Sequence, residues 1–137
     1  MERLYHVGLD VGSTTVKIAV IDEDANLVYQ EYKRHFANIK ETIRDVVERA
    51  YQQVLAGQTV TINVTGSGGL SVSKWLKIPF VQEVIACTQT VERLIPETDV
   101  AIELGGEDAK ITYFGQSVEQ RMNGTCAGGT GAFIDQM

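Results

Sequence analysis

The segment Asp10-Val11-Gly12-Ser13-Thr14-Thr15-Val16-Lys17 gathers a carboxylate, a glycine, hydroxyls and an amine in one short stretch. Gly12 lets the backbone approach a ligand closely. The N–H groups of Gly12, Ser13, Thr14 and Thr15, with the hydroxyls of Ser13, Thr14 and Thr15, form a donor patch suited to phosphate oxygens. Lys17 adds positive charge. Asp10 stands where a strand ends and can hold a magnesium ion through water, since Mg²⁺ keeps several of its waters. The flanking runs, Leu4 to Asp10 and Val16 to Asp22, are apolar and rich in β-branched residues, so both are predicted strands buried on both faces. The loop is then a hairpin turn. A P-loop is excluded, because it needs Gly-x4-Gly-Lys-Ser/Thr followed by a helix. An ordinary Gly-Ser hairpin is the plain alternative for this loop taken alone.

A second stretch repeats the design. Val100-Ala101-Ile102-Glu103-Leu104-Gly105-Gly106-Glu107-Asp108-Ala109-Lys110 runs strand, carboxylate, glycine turn, acids, lysine, strand. Glu103 and Glu107 are candidate catalytic acids, and Glu103 is a second candidate magnesium ligand. Gly105 and Gly106 are candidate phosphate contacts. A polar turn with solvated acids is the competing reading, weakened by the presence of two such hairpins. A third loop, Gly124-Thr125-Cys126-Ala127-Gly128-Gly129-Thr130-Gly131, precedes a predicted helix N-terminus. Free N–H groups there favour anions and thiolates. Cys126 is a candidate metal ligand or reactive thiolate, against the alternative of a buried structural cysteine. Gly128 and Gly129 are candidate cofactor contacts.

Gly66-Ser67-Gly68-Gly69-Leu70-Ser71 follows a strand and opens a helix, with Glu83 at a distance that suits a ribose-binding acid. Ser71 replaces the third glycine, Pro79 cuts the helix short, and antiparallel strands precede it. A tight turn beside a nucleotide cleft is the better reading. His6 reads as a packed strand residue, His35 has no partner visible in sequence, and Cys87 reads as core. The charges from Lys33 to Glu48 read as a solvated helix face.

These loops need a scaffold. Leu27 to Lys33 alternates and forms a third, edge-like strand after the turn Glu23-Asp24-Ala25-Asn26. Asn38 with Glu41 has the spacing of a capping box. Ile39, Ile43, Val46, Val47, Ala50 and Val54 keep helical spacing up to Gly57. Val60 to Thr65 is a fourth strand. A short helix follows, with Val72, Trp75 and Leu76 on one face and Pro79 as its stop. A second, Ile85 to Ile95, stops at Pro96. Val100 to Leu104 is a fifth strand, with Ala109 to Phe114 returning. The order indicates an α/β fold: a mixed five-stranded sheet with an antiparallel three-stranded meander, flanked by helices.

The totals narrow the function classes. The chain has 137 residues, 44% hydrophobic and 22% charged, which suits one soluble domain. A net charge of -6 argues against a nucleic-acid surface. No apolar run nears the roughly 18–20 residues needed to span a bilayer, and Met1-Glu2-Arg3-Leu4-Tyr5 has no apolar signal segment. The cytoplasm is the expected compartment. Gly131 to Met137 reads as a helix just begun with no stop signal, so the chain is expected to be an N-terminal piece of a longer protein.

The three motifs together resemble one family. Gly8-Leu9-Asp10-Val11-Gly12-Ser13-Thr14-Thr15-Val16-Lys17 is similar to the first phosphate motif of the acetate- and sugar-kinase/Hsp70/actin superfamily. With Glu103 to Lys110 and Met122-Asn123-Gly124-Thr125-Cys126-Ala127-Gly128-Gly129-Thr130-Gly131-Ala132-Phe133, it resembles the BadF/BadG/BcrA/BcrD ATPases. These are activators of 2-hydroxyacyl-CoA dehydratases and benzoyl-CoA reductases, including the large CoA-substrate-specific enzyme activases. The resemblance covers essentially the whole chain. It implies the first lobe of a ribonuclease H-like, actin-like ATPase over residues 1–137, ending before the second lobe. It implies ATP and Mg²⁺, with Asp10 as the magnesium-site acid and Gly12, Ser13, Thr14 and Lys17 as the phosphate loop. It further implies a homodimer holding one [4Fe-4S] cluster through two cysteines per subunit, Cys126 being the first. ATP hydrolysis would then pass one low-potential electron to a dehydratase- or reductase-type iron–sulfur partner, in a separate chain or the same polypeptide. The chain departs from the family pattern at Glu103, where Asp is usual, and at Glu107, where Gln is usual. This piece alone is expected to bind ATP weakly, to hydrolyse it negligibly and to hold no stable cluster. The competing functions are a sugar- or acyl-kinase-like phosphotransferase lobe and a non-catalytic interaction module.

Overall fold

A computed structural model describes residues 2–105, 109–115 and 117–122. The chain divides into two compact units, Met1–Val81 and Gln82–Met137.

The first unit opens with the predicted meander. β1 (Leu4–Val11) pairs antiparallel with β2 (Thr15–Ile21), and β2 pairs antiparallel with β3 (Leu27–Arg34). After helix α1 (Ile39–Ala50), β4 (Thr59–Thr65) returns parallel to β1, giving the order β3-β2-β1-β4. Parallel neighbours need such a crossover, and α1 provides it. Burial alternates along β1, and along β2 from Val16 onward. Tyr5, Val7, Leu9 and Val11 of β1, with Val16, Ile18 and Val20 of β2, are buried and pack with Ile43, Val46 and Ala50 of α1. On the other face Gly8 and Ala19 are exposed. Both strands were expected to be buried on both faces. Small residues at positions 8 and 19 kept the apolar count high without providing side chains to bury.

The helix ends differ from their predicted chemistry. Asn38 makes no side-chain cap. Its carbonyl instead takes the Thr42 N–H at 3.1 Å and the Thr42 hydroxyl at 2.8 Å. At the other end α1 widens into a π-helical turn, Tyr51–Leu55, and Gly57 leaves it at φ +77°. α2 (Gly69–Leu76) ends before Pro79, at Lys77, which takes the left-handed conformation usual at helix stops. Of its predicted apolar face only Val72 is buried. Trp75 and Leu76 line an open groove with Ile43, Val47 and Ile62, and Lys40 sits 4.8 Å over the Trp75 ring.

The second unit holds α3 (Glu83–Leu94) and β5 (Val100–Leu104), β6 (Ala109–Tyr113) and β7 (Glu119–Met122) in one antiparallel sheet. The α/β class and the meander are as predicted. The strand count differs: among the described residues β5 pairs with β6 and β6 with β7, so seven strands divide between two sheets rather than five sharing one. No helix among the described residues is long and apolar enough to cross a membrane.

Ion pairs tie α1 to the meander, and the one within the predicted solvated stretch, Lys33 with Asp45, keeps both side chains well exposed. Arg49 grips Glu31 of β3 with Nε at 2.9 Å and Nη2 at 2.6 Å, and Lys33 meets Asp45 at 3.2 Å. The Arg49 hydrogen bonds hold the Glu31 carboxyl below its ordinary value of 4.5. A depressed carboxylate stabilises the fold above its unfolded value, and that contribution fades as pH falls through the folded value. Glu31→Gln is expected to cost about 1 kcal/mol at pH 7, since the pair is partly exposed. It should cost less as the medium is acidified. Urea melts of both proteins at pH 7 and pH 3 check this; an equal gap at the two pH values would contradict it.

Candidate functional site

The β1–β2 hairpin is built as its sequence predicted. Asp10 stands opposite Lys17 and Val11 opposite Val16. The Gly12 N–H closes the turn on the Thr15 carbonyl at 2.9 Å, Ser13 and Thr14 stand exposed at the tip, and Thr15 is buried. A strand follows the loop, so the exclusion of a P-loop holds.

Strand register puts Tyr32, Lys17, Asp10 and Thr65 in one row across β3, β2, β1 and β4, on the sheet face away from Val11 and Val16. Lys17 Nζ meets Asp10 Oδ2 at 3.1 Å and lies 5.7 Å over the Tyr32 ring. Both charged side chains keep over a third of their surface in water. Thr65 Oγ1 is buried with no hydrogen-bond partner among the described residues. An acid, an ammonium and an uncommitted hydroxyl thus sit side by side beneath an exposed Ser-Thr tip. This is chemistry for a phosphate and its counter-ion.

The Gly66-Ser67-Gly68-Gly69 turn lies against that row. Gly66 adopts φ +99°, and a side chain there would run into the Val11 carbonyl and Asp10 Oδ1. The Gly68 N–H bonds the Val11 carbonyl at 2.8 Å. The motif is therefore a tight turn packed against the end of β1. Glu83 forms an ion pair with Lys110 rather than acting as a ribose acid.

His35 was missed. It is 6% exposed, and Nε2 meets the Gly12 carbonyl at 3.1 Å. Its N–H bonds the Thr14 carbonyl at 3.0 Å. Phe36 and Ala37 follow at φ 47° and 66°, a left-handed pair costing about 1 kcal/mol or more per residue. No glycine marks that bend, so sequence had no signal for it. His6, read as a packed strand residue, shares a 2.7 Å hydrogen bond with Thr61.

In the second unit Glu103 and Lys110 face each other across β5 and β6. Lys110 is buried with its ion pair to Glu83. Burial first, then the charge and hydrogen bond of Glu103, push the Cys87 thiol above its ordinary range. That is the opposite of a reactive thiolate, in line with a core role. Gly105 ends β5. Gly106, Glu107, Cys126, Gly128 and Gly129 lie outside the described residues. Asp10, Gly12, Ser13, Thr14, Thr15 and Lys17 are thus brought together in the first unit, while Glu103 and Gly105 belong to the second.

Removing the Glu103 charge lowers the barrier to ionising Cys87. Glu103→Gln is expected to speed iodoacetamide labelling of Cys87 about two- to fivefold at pH 8. Peptide mass mapping over time reads the rate, and an unchanged or slower rate would break the link.

Residues 7–137 match the BadF/BadG/BcrA/BcrD ATPase family. The 2-hydroxyisocaproyl-CoA dehydratase activator of Clostridioides difficile is 32% identical over 98% of this chain and 51% of its own length. The solved structure of the activator of the 2-hydroxyisocaproyl-CoA dehydratase from Clostridium difficile, with bound ADPNP, superposes with a TM-score of 0.82. It is 30% identical, over 97% of this chain and 50% of that one. Component A of the Acidaminococcus fermentans (R)-2-hydroxyglutaryl-CoA dehydratase, at 24% identity, shares the fold with a TM-score of 0.77 over 98% of this chain and 52% of its own. The chain spans about half the length of the curated relatives it matches. With the family match running from residue 7 to residue 137 and a relative 32% identical over nearly the whole chain, the chain belongs to the BadF/BadG/BcrA/BcrD ATPase family.

Proposed function

We propose that this chain is the phosphate-binding lobe of an activator ATPase that serves a 2-hydroxyacyl-CoA dehydratase- or reductase-type partner. The observation that carries it is the Asp10–Lys17 pair at the base of the exposed Gly12-Ser13-Thr14 turn. The likeness to an activator with bound ADPNP supports the same reading. Asp10 fits a magnesium ion: its carboxylate is partly exposed and its neighbour Thr65 has an uncommitted oxygen. A bound Mg²⁺ would neutralise charge on the β- and γ-phosphate oxygens. Lys17 adds a mobile cation beside them, and the Ser13 and Thr14 hydroxyls offer donors. Glu103 and Glu107 are proposed to orient water or metal from the second hairpin.

The electron-transfer step rests on the family resemblance and on Cys126. Cys87 does not match the second cluster cysteine that the resemblance implies. A [4Fe-4S] cluster shared by two copies would supply a one-electron donor. Cys126 would be one of its ligands, and the partner or a further part of the same polypeptide would accept the electron.

Mg·ADPNP titration of the full-length protein tests the nucleotide reading. Lys17→Ala is expected to weaken binding about tenfold, and Asp10→Asn to abolish its magnesium dependence. Wild-type isotherms for both variants would overturn the reading. Anaerobic iron analysis tests the other half: Cys126→Ala should lose the cluster absorbance and iron. Retention of both would favour a kinase-like or interaction role.

A further inference from the structure

The geometry points to His35 as a positioning residue for the phosphate loop, a role that rests on the nucleotide reading above. The imidazole is almost wholly buried behind the turn. Nδ1 accepts the Ala37 N–H at 3.0 Å, so it carries no proton there. A neutral ring then bears its hydrogen on Nε2 and donates it to the Gly12 carbonyl. The His35 N–H holds the Thr14 carbonyl, and the His35 carbonyl takes the Asn38 N–H at 2.7 Å. One residue therefore fixes carbonyls on both sides of Ser13 and is itself fixed by the start of α1.

The consequence for a ligand follows from the peptide plane. In a trans peptide the C=O and the next N–H point in opposite directions. Holding the Gly12 carbonyl on the imidazole turns the Ser13 N–H to the opposite side, as a donor aimed away from the ring. Without the Nε2 bond that peptide is free to rotate, and a phosphate would have to order the loop as it bound. The left-handed conformation of Phe36 is what brings the Ala37 N–H round to Nδ1.

Two polar replacements separate the bonds. An Asn amide reaches the position of Nδ1 and can still accept the Ala37 N–H, but cannot reach Gly12. A Gln amide reaches the position of Nε2 and can still donate to Gly12. In the full-length protein, His35→Asn is expected to weaken Mg·ADPNP binding about tenfold and His35→Gln by no more than about threefold. Hydrogen-exchange mass spectrometry of the apo proteins should show faster exchange over the loop peptide in His35→Asn alone. Faster exchange with wild-type affinity in His35→Asn would reduce His35 to a structural brace and overturn its role in binding. Gln weaker than Asn would overturn the Nε2 assignment. If Lys17→Ala also binds like the wild type, or the wild type binds no nucleotide, the fault lies with the nucleotide reading, and this role falls with it.

Discussion

Val11 and Val16 face each other across β1 and β2, both fully buried, and this pairing fixes where Asp10 and Lys17 must go. Side chains alternate along a strand, so each residue beside a buried valine emerges on the opposite face. A slip of one residue would drive Asp10 into the apolar core, at a cost of several kcal/mol for an unpaired charge. The hydrophobic pattern thus sets the register, and the register sets the ion pair. Everything proposed about phosphate depends on that exclusion.

The two hairpins share a sequence plan and treat their charges differently. Asp10 and Lys17 meet each other in partial contact with water. Glu103 and Lys110 face each other in register, yet Lys110 is buried against Glu83 and Glu103 lies beside Cys87. A wet ion pair is cheap to rearrange when a ligand arrives. A buried one is costly to break. In their described arrangement the first hairpin is the adaptable element and the second the more committed one.

Sequence reading went furthest where one period dominated. β1 to β5 fall within about a residue of their predicted limits, because β-branched runs and glycine turns leave little choice. It went wrong where a tertiary contact replaced a local one. Asn38 had capping-box spacing, but the chain enters α1 from a turn that opens at His35 and is centred on Phe36 and Ala37, and the Asn38 side chain makes no cap. Trp75 and Leu76 share a helix face with Val72 yet remain open to the groove. β7 escaped notice because Glu119-Gln120-Arg121-Met122 offers little apolar alternation, and its pairing with β6 specifies it instead. The phosphate loop itself was legible from residue types. Its brace was not, since nothing in a lone histidine tells which distant carbonyl it will meet.

Gly66 lacks a side chain where it rests on Asp10, so only one peptide's thickness separates that carboxylate from the turn that begins α2. Peptide groups carry permanent dipoles whose field falls off quickly with distance. Here they are at contact range. The acid is therefore flanked on one side by polarity that has no titratable group and is tied down by the Gly68 N–H on the Val11 carbonyl. Such a wall does not titrate, so it keeps its polarity as the pH changes. The ammonium on the other side is screened by salt and can move.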